Sequence, residues 1–361
     1  NALKTLLPMP AVLDPEYGTL IIEAHSKRHV LRCSADPISQ RPVIHDTVTK
    51  LKTAGTKVQT EWSARKNAEG NVVWPFSDET ILEGQLADSF RRIVEGFAIF
   101  NPHVTINLNW FGRKQTWKAT NPDWQKWKPN RPTSSHWYEL QHFERLIGAY
   151  VIHDKESGAD RLVSEFVAEF DGLSGSQKRA KVLRDANMHR ARLSELVVGN
   201  RYDSERIEQL LAAMQRNTRP INSPLLGIIG EEHLRTRLLD MGIVPESFRY
   251  SRKLANCKKP PSDPGDKARF TSELPSVLES AFGWLGDGAA DERRIYAGAN
   301  WSAAIHKPFR TFGTTGEGLE AALTDMRVGQ HEPVVFVLHL AHPRVEYTDR
   351  GKSALVIRGE A

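Results

Sequence analysis

Cysteine is scarce. Cys33 and Cys257 are the only two in 361 residues, far apart and without C-x-x-C spacing. Neither a disulfide framework nor a cysteine-ligated zinc site is therefore indicated. No apolar run approaches the roughly 18 residues of a membrane-spanning helix. No segment has the form of a secretory signal. The thirteen histidines contain no HExxH pair, so zinc-hydrolase chemistry has no support. These shortages read as a cytoplasmic chain with no membrane partner. What is present is ordinary: 40% hydrophobic, 26% charged, and a net charge of +5. That length can hold two or three domains, and mild basicity is compatible with contact to nucleic acid.

Apolar patterning divides the chain. Thr19–Glu23 and His29–Cys33 read as strands joined by a polar turn, and Gly55–Trp62 as a third strand entered through a glycine. Leu82, Leu86, Phe90, Ile93 and Phe97 recur at helical spacing, predicting a helix over 78–99. Asn101-Pro102 ends it, because proline disfavours helical geometry in the residue before it. Val104 to Trp110 alternates as a half-buried strand. The 113–137 stretch reads as a loop dense in Trp117, Trp124, Trp127 and Trp137 with Lys114, Lys118, Lys126 and Lys128. Such a loop either offers a stacking platform for single-stranded nucleic acid or pins itself to a domain face.

Residues 139–241 read as helical. Within them, Gly172-Leu-Ser-Gly-Ser-Gln-Lys-Arg-Ala-Lys181 sets a glycine turn before a basic first helical turn. Backbone donors there, with Lys178, Arg179 and Lys181, can grip a phosphate backbone, or the charges can simply be solvated. A proline-rich polar segment, Cys257–Asp266, reads as a linker. Beyond it strands alternate with one helix at 317–327, and Val334–Leu338 is an unbroken apolar run expected to be covered on both faces. Lys352 follows the Asp349-Arg-Gly351 turn. It is either a rigidly supported point charge suited to a phosphate or a solvated turn lysine. The first residue, Asn1, is not methionine and opens an apolar segment, so the chain reads as an excerpt of a longer protein.

Six segments in fixed order resemble the B (ATPase) subunit of topoisomerase VI, a type IIB DNA topoisomerase with a GHKL ATPase domain. Asn1-Ala-Leu-Lys4-Thr-Leu-Leu-Pro resembles the end of the family's glycine-rich phosphate-lid box. Gly55-Thr56 resembles the glycine-threonine motif beside adenine. Ile99-Phe-Asn-Pro-His-Val-Thr-Ile106 resembles its asparagine-proline-histidine turn. Phe170–Lys178 resembles the start of its helix-two-turn-helix domain, and Ser223–Glu232 its serine-proline-glycine-glutamate segment. The stretch 333–357 resembles the transducer domain, with Lys352 at the position of the lysine that reaches the γ-phosphate.

The resemblance implies an α+β multidomain chain: a partial GHKL ATPase sandwich at 1–138, a helical helix-two-turn-helix domain at 139–250, a linker at 251–268, and an α/β transducer of ribosomal-protein-like fold at 269–361. It implies ATP bound by Asn1, Ala2, Leu3, Lys4, Gly55 and Thr56, with Lys352 catalytic. The Mg²⁺ ligands and catalytic glutamate would lie upstream of residue 1. Partners would be double-stranded DNA, a topoisomerase VI A-like DNA-cleaving subunit, and a second copy on ATP binding. The family's tryptophan-lysine-x-tyrosine loop is not recognisable near 324–330. A scaffolding or DNA-binding relative with a decayed ATP site is the alternative. A base-excision glycosylase, which shares the helix-two-turn-helix domain, is disfavoured by Asn1 and by the two lone cysteines.

Overall fold

The computed structural model describes residues 6–39, 41–52, 54–74, 80, 85–127, 134–199, 201–255, 274–286, 292–304, 309, 318–348 and 354–355. Contacts divide the chain into two units, 1–92 and 93–361. The division falls inside a helix within the expected 1–138 domain. Mixed α+β character with several sheets, as expected, is what the chain has.

The first unit holds a short helix α1 (Pro8–Leu13) and four strands: β1 (Thr19–Ala24), β2 (Lys27–Ala35), β3 (Pro42–Lys50) and β4 (Lys57–Glu61). They form one antiparallel sheet in the order β3-β2-β1-β4. Central β1 buries Thr19, Leu20 and Ile21 on both faces, and α1 packs on β1 and β2. Asp14 fastens this corner: its carboxylate accepts from the Tyr17 N–H at 3.0 Å, the Ser63 N–H at 2.8 Å, and the Ser63 hydroxyl. Gly18 is required there, since a Cβ would lie 2.1 Å from the Pro10 carbonyl oxygen. Strand β3 is exposed along its whole length, so its sequence carries no buried alternation.

Helix α2 (Gln85–Phe100) crosses the division between the units. It is the helix expected over 78–99, and it ends at Asn101, whose side-chain amide donates to Phe97 O at 2.8 Å. The antiparallel hairpin β5 (Ile106–Trp110) and β6 (Arg113–Trp117) follows. The expected 113–137 loop therefore begins as a strand.

A four-helix cluster follows: α3 (Leu140–Glu156), α4 (Val163–Ala168), α5 (Ser176–Asp185) and α6 (Ser204–Arg216), with a two-residue hairpin, β7 (Val197–Val198) and β8 (Arg201–Tyr202). Its core stacks Phe143, Phe166 and Phe170 edge to face or tilted, with centroids 5.2–6.0 Å apart. Each fully buried phenylalanine contributes about 1.5–3 kcal/mol. Arg161 clamps the rim, forking onto Asp154 at 2.6 and 2.7 Å, reaching Glu169 at 2.7 Å, and lying over the Tyr150 ring.

Helix α7 (Glu231–Asp240) leads into a five-stranded sheet ordered β12-β11-β13-β10-β9. Its strands are β9 (Arg249–Ala255), β10 (Ser276–Trp284), β11 (Arg294–Ala299), β12 (Ser302–Ala303) and β13 (Val334–Ala341), with helix α8 (Leu319–Asp325) between β12 and β13. Strands β11 and β13 pair in parallel, as a crossover through a helix permits. Strand β13 is buried on both faces apart from Phe336 and Leu340, as its apolar run predicts. Residues 251–255 of the expected linker belong to β9, which pairs with β10. The rest of that linker, from 256, lies outside the described residues.

Candidate functional site

Of the residues expected to hold ATP, Asn1, Ala2, Leu3 and Lys4 lie outside the described residues, as does Lys352. Gly55 and Thr56 are exposed in the turn entering β4. Gly55 has φ +81° with nothing within 4 Å of a built Cβ, so glycine is needed there for its dihedral and not for space. Among the described residues no group of histidine, cysteine or carboxylate side chains could hold a metal ion. No helix among them is long and apolar enough to cross a membrane.

The three basic residues expected to meet DNA, Lys178, Arg179 and Lys181, lie in the first turns of one helix. Leu173 is buried beneath the turn, Gly172 takes φ +77°, and α5 starts at Ser176. Its first main-chain hydrogen bond runs from Arg179 N to Gly175 O, leaving the N–H groups before it directed outward along the axis. Lys178 and Lys181 are exposed, while the Arg179 guanidinium turns back to Ser174 O at 3.1 Å. Burial of Val182 and Leu183 orients the helix and puts Lys178, Lys181 and Arg184 on its outer side. From 172 to 192 there are six basic residues and one acidic, Asp185, whose carboxylate accepts from Asn217. This is a local positive face on a helical region of otherwise mixed charge.

The tryptophan-lysine loop takes the second of its two expected roles. Trp117 and Trp137 are each 5% exposed. The Trp124 indole donates to Ile228 O and the Trp127 main chain to Leu226 O, while Trp127 meets Trp137 edge-on. Lys126 is consumed inside the fold: its ammonium donates to Asn101 Oδ1 at 2.8 Å and lies 5.7 Å from the Trp301 ring centre. Asn101 in turn donates to Trp301 O. Gly227, at φ +105°, lets this packing close, since a Cβ would meet Lys126 Cα and Trp301 at 3.2 Å. Three stretches noticed separately in the sequence, around Asn101, Lys126 and Ser223–Glu232, thus meet at one structural junction.

Buried polar groups stabilise that junction. Glu279 is fully buried, and its carboxylate accepts from Ile229 N and Gly230 N at 2.9 Å and from the Tyr250 hydroxyl at 2.8 Å. Burial raises the Tyr250 phenol well above its ordinary value, the adjacent carboxylate adding to it. His339 is fully buried against Phe100, accepts from Trp301 N at 3.0 Å, and is pushed down to about 3 by burial, then by Lys126. His233 bridges Ile99 O and Thr120 and is pushed down to about 4 by burial. Sequence reasoning did not find these residues: Glu279 and His339 are lone polar side chains within apolar strands, whereas His233 is hidden among the charges of Glu231-Glu-His-Leu-Arg235.

A cleft of about 420 Å³ opens between β6 and α7, lined by Glu95, Gln115, Thr116, Lys118, Arg237 and Asp240 among others. Arg237 is 2% exposed and donates to Lys118 O at 2.6 Å. The cleft is balanced in charge.

Compared with known proteins, the chain matches no family model and no curated protein. Among solved structures, the B-subunit of DNA gyrase from Myxococcus xanthus aligns with 95% of this chain at 10% identity and a TM-score of 0.29. The chain covers 62% of that protein's length. At that TM-score the likeness carries no argument about fold or function.

Proposed function

We propose that this chain is part of a topoisomerase-VI-B-like, ATP-gated clamp acting on double-stranded DNA. The observation that carries the DNA half is the positive face of α5, where Lys178 and Lys181 stand exposed beside a helix start that directs N–H groups outward. Helix starts and lysines of this kind bind phosphate through backbone N–H donors and ammonium point charges. The ATP half rests on the resemblance: Asn1, Ala2, Leu3, Lys4, Gly55 and Thr56 would hold the nucleotide. ATP with Mg²⁺ would supply the phosphoryl group hydrolysed by water. The part of this chain would be to position and to sense charge. Lys352 would meet the γ-phosphate and favour one angle between the ATPase and transducer parts. DNA cleavage would belong to an A-like subunit, and ATP would draw two copies together.

Fluorescence anisotropy on a duplex of about 30 base pairs, repeated between 50 and 200 mM salt, tests the DNA half. Lys178→Glu with Lys181→Glu is expected to weaken binding 10- to 100-fold and to flatten the log K–log salt slope by about 2. Equal affinity and slope in the variant would remove the α5 assignment. For the ATP half, Lys352→Ala in the complete protein, with the upstream half of the ATP site present, is expected to leave binding of a fluorescent ATP analogue intact and slow hydrolysis by about 10- to 1,000-fold. Absence of analogue binding by the complete parent protein, or an unchanged hydrolysis rate in the variant, would refute it.

A further inference from the structure

The β5–β6 hairpin turns in two residues, Phe111 and Gly112, both with positive φ (48° and 81°). Two-residue hairpins with this geometry favour Asn-Gly, because a bulky side chain in the left-handed region is costly. Among the described residues two other such turns are seen whole. His25-Ser26 uses small or polar residues, and at Asn300-Trp301 the tryptophan is 3% exposed, so its burial offsets the strain. Phe111 has neither excuse: it is 47% exposed and touches Trp110 edge-on at 4.9 Å. A large apolar ring is thus held outward at the tip of a finger, against both backbone preference and solvation.

The finger's charge indicates what meets the ring. No acidic residue occurs from 96 to 122, whereas Arg113, Lys114 and Lys118 follow the tip. Arg113 through Thr116 are exposed, as are Asn107 and Asn109 on the paired strand. Amide and hydroxyl groups beside one exposed ring and a row of cations suit bases and phosphates. An apolar protein partner would need a wider apolar patch than a single phenylalanine.

Resting on the DNA reading above, we propose that the β5–β6 tip is a base-stacking finger, with Phe111 stacking on an unpaired base of locally opened DNA and Arg113 and Lys114 holding the flanking phosphates. Aromatic side chains on which bases stack are a sequence-tolerant way to hold single strands. This site is distinct from the tryptophan loop, whose rings are spent in packing.

The test compares two oligonucleotides of equal length, a fully paired duplex and one with a central unpaired bubble, by anisotropy on the full chain. The parent is expected to prefer the bubble, and Phe111→Asn to reduce that preference by about 5- to 150-fold, the range for removing one base-stacking aromatic. Because Asn-Gly suits this turn, Phe111→Asn should melt at the same temperature or higher, which separates lost stacking from lost folding. Phe111→Tyr should restore the preference. A parent that binds duplex through Lys178 and Lys181 but shows no bubble preference overturns the finger alone. So does a folded Phe111→Asn protein that keeps the preference. A parent that binds neither oligonucleotide overturns both readings.

Discussion

Acid should destabilise this protein well before its carboxylates titrate, and His339 is the clearest cause. The ring is 0% exposed and burial holds it neutral down to about pH 3, whereas in the unfolded chain it ionises near 6.5. Between those values the unfolded state binds the extra proton, so stability falls as pH falls through that window. From pH 7 to pH 5 the loss from His339 works out at about 2 kcal/mol, and His233, held near 4, adds about as much. Asp14 and Asp154, both lowered to about 2 by hydrogen bonds from Ser63 and Arg161 respectively, stay ionised across this range. Their stabilisation is lost only between about pH 4 and pH 2. Urea unfolding at pH 7, 6 and 5 would measure this. Tryptophan emission is a suitable signal, since seven of the nine tryptophans lie in the second unit. His339→Gln keeps an acceptor for the Trp301 N–H but does not titrate. The variant should lose about 2 kcal/mol less than the parent on going from pH 7 to pH 5. A parent whose stability is flat over that range, or a variant with an unchanged slope, would refute the reasoning.

Two further substitutions probe the junction. Glu279→Ala removes the acceptor for Ile229 N, Gly230 N and the Tyr250 hydroxyl together, and should cost about 3–5 kcal/mol in urea unfolding. A loss below about 1 kcal/mol would mean water replaces the carboxylate there. Gly298→Ala would place a Cβ 2.6 Å from both the Phe100 ring and the Ser302 carbonyl oxygen. The backbone cannot yield cheaply, so about 1–3 kcal/mol should be lost, and an unchanged melting temperature would contradict the packing.

Elements with a buried face were the legible ones. α6 carries apolar residues at the helical period and burial follows it, while β1 and β13 read as unbroken apolar runs and are buried on both faces. Strand β3 was not found, because Val43, Ile44 and Val48 are all exposed and no face of it is apolar in effect. Strand β6 reads as loop in the sequence because Arg113, Lys114, Gln115 and Thr116 are all exposed and carry no apolar alternation. The α5 basic face was legible because its charges are adjacent in sequence. The Asn101–Lys126–Trp301 junction was not, since contacts across 25 and 200 residues leave no local period.

Tyr138 lines two cores at once, that of the helical cluster and that beneath the five-stranded sheet. Its neighbours are held as firmly: Ser135 by Thr218 and Gln215, the Trp137 carbonyl and Glu139 by Arg344. Five consecutive residues therefore act as a rivet between helices and sheet. Any force arriving along the chain just after β13 reaches Arg344 first and passes through two short polar bonds to the start of α3. A displacement there therefore pulls on the Trp137 carbonyl as well as on Glu139, linking the end of β13 to the start of α3.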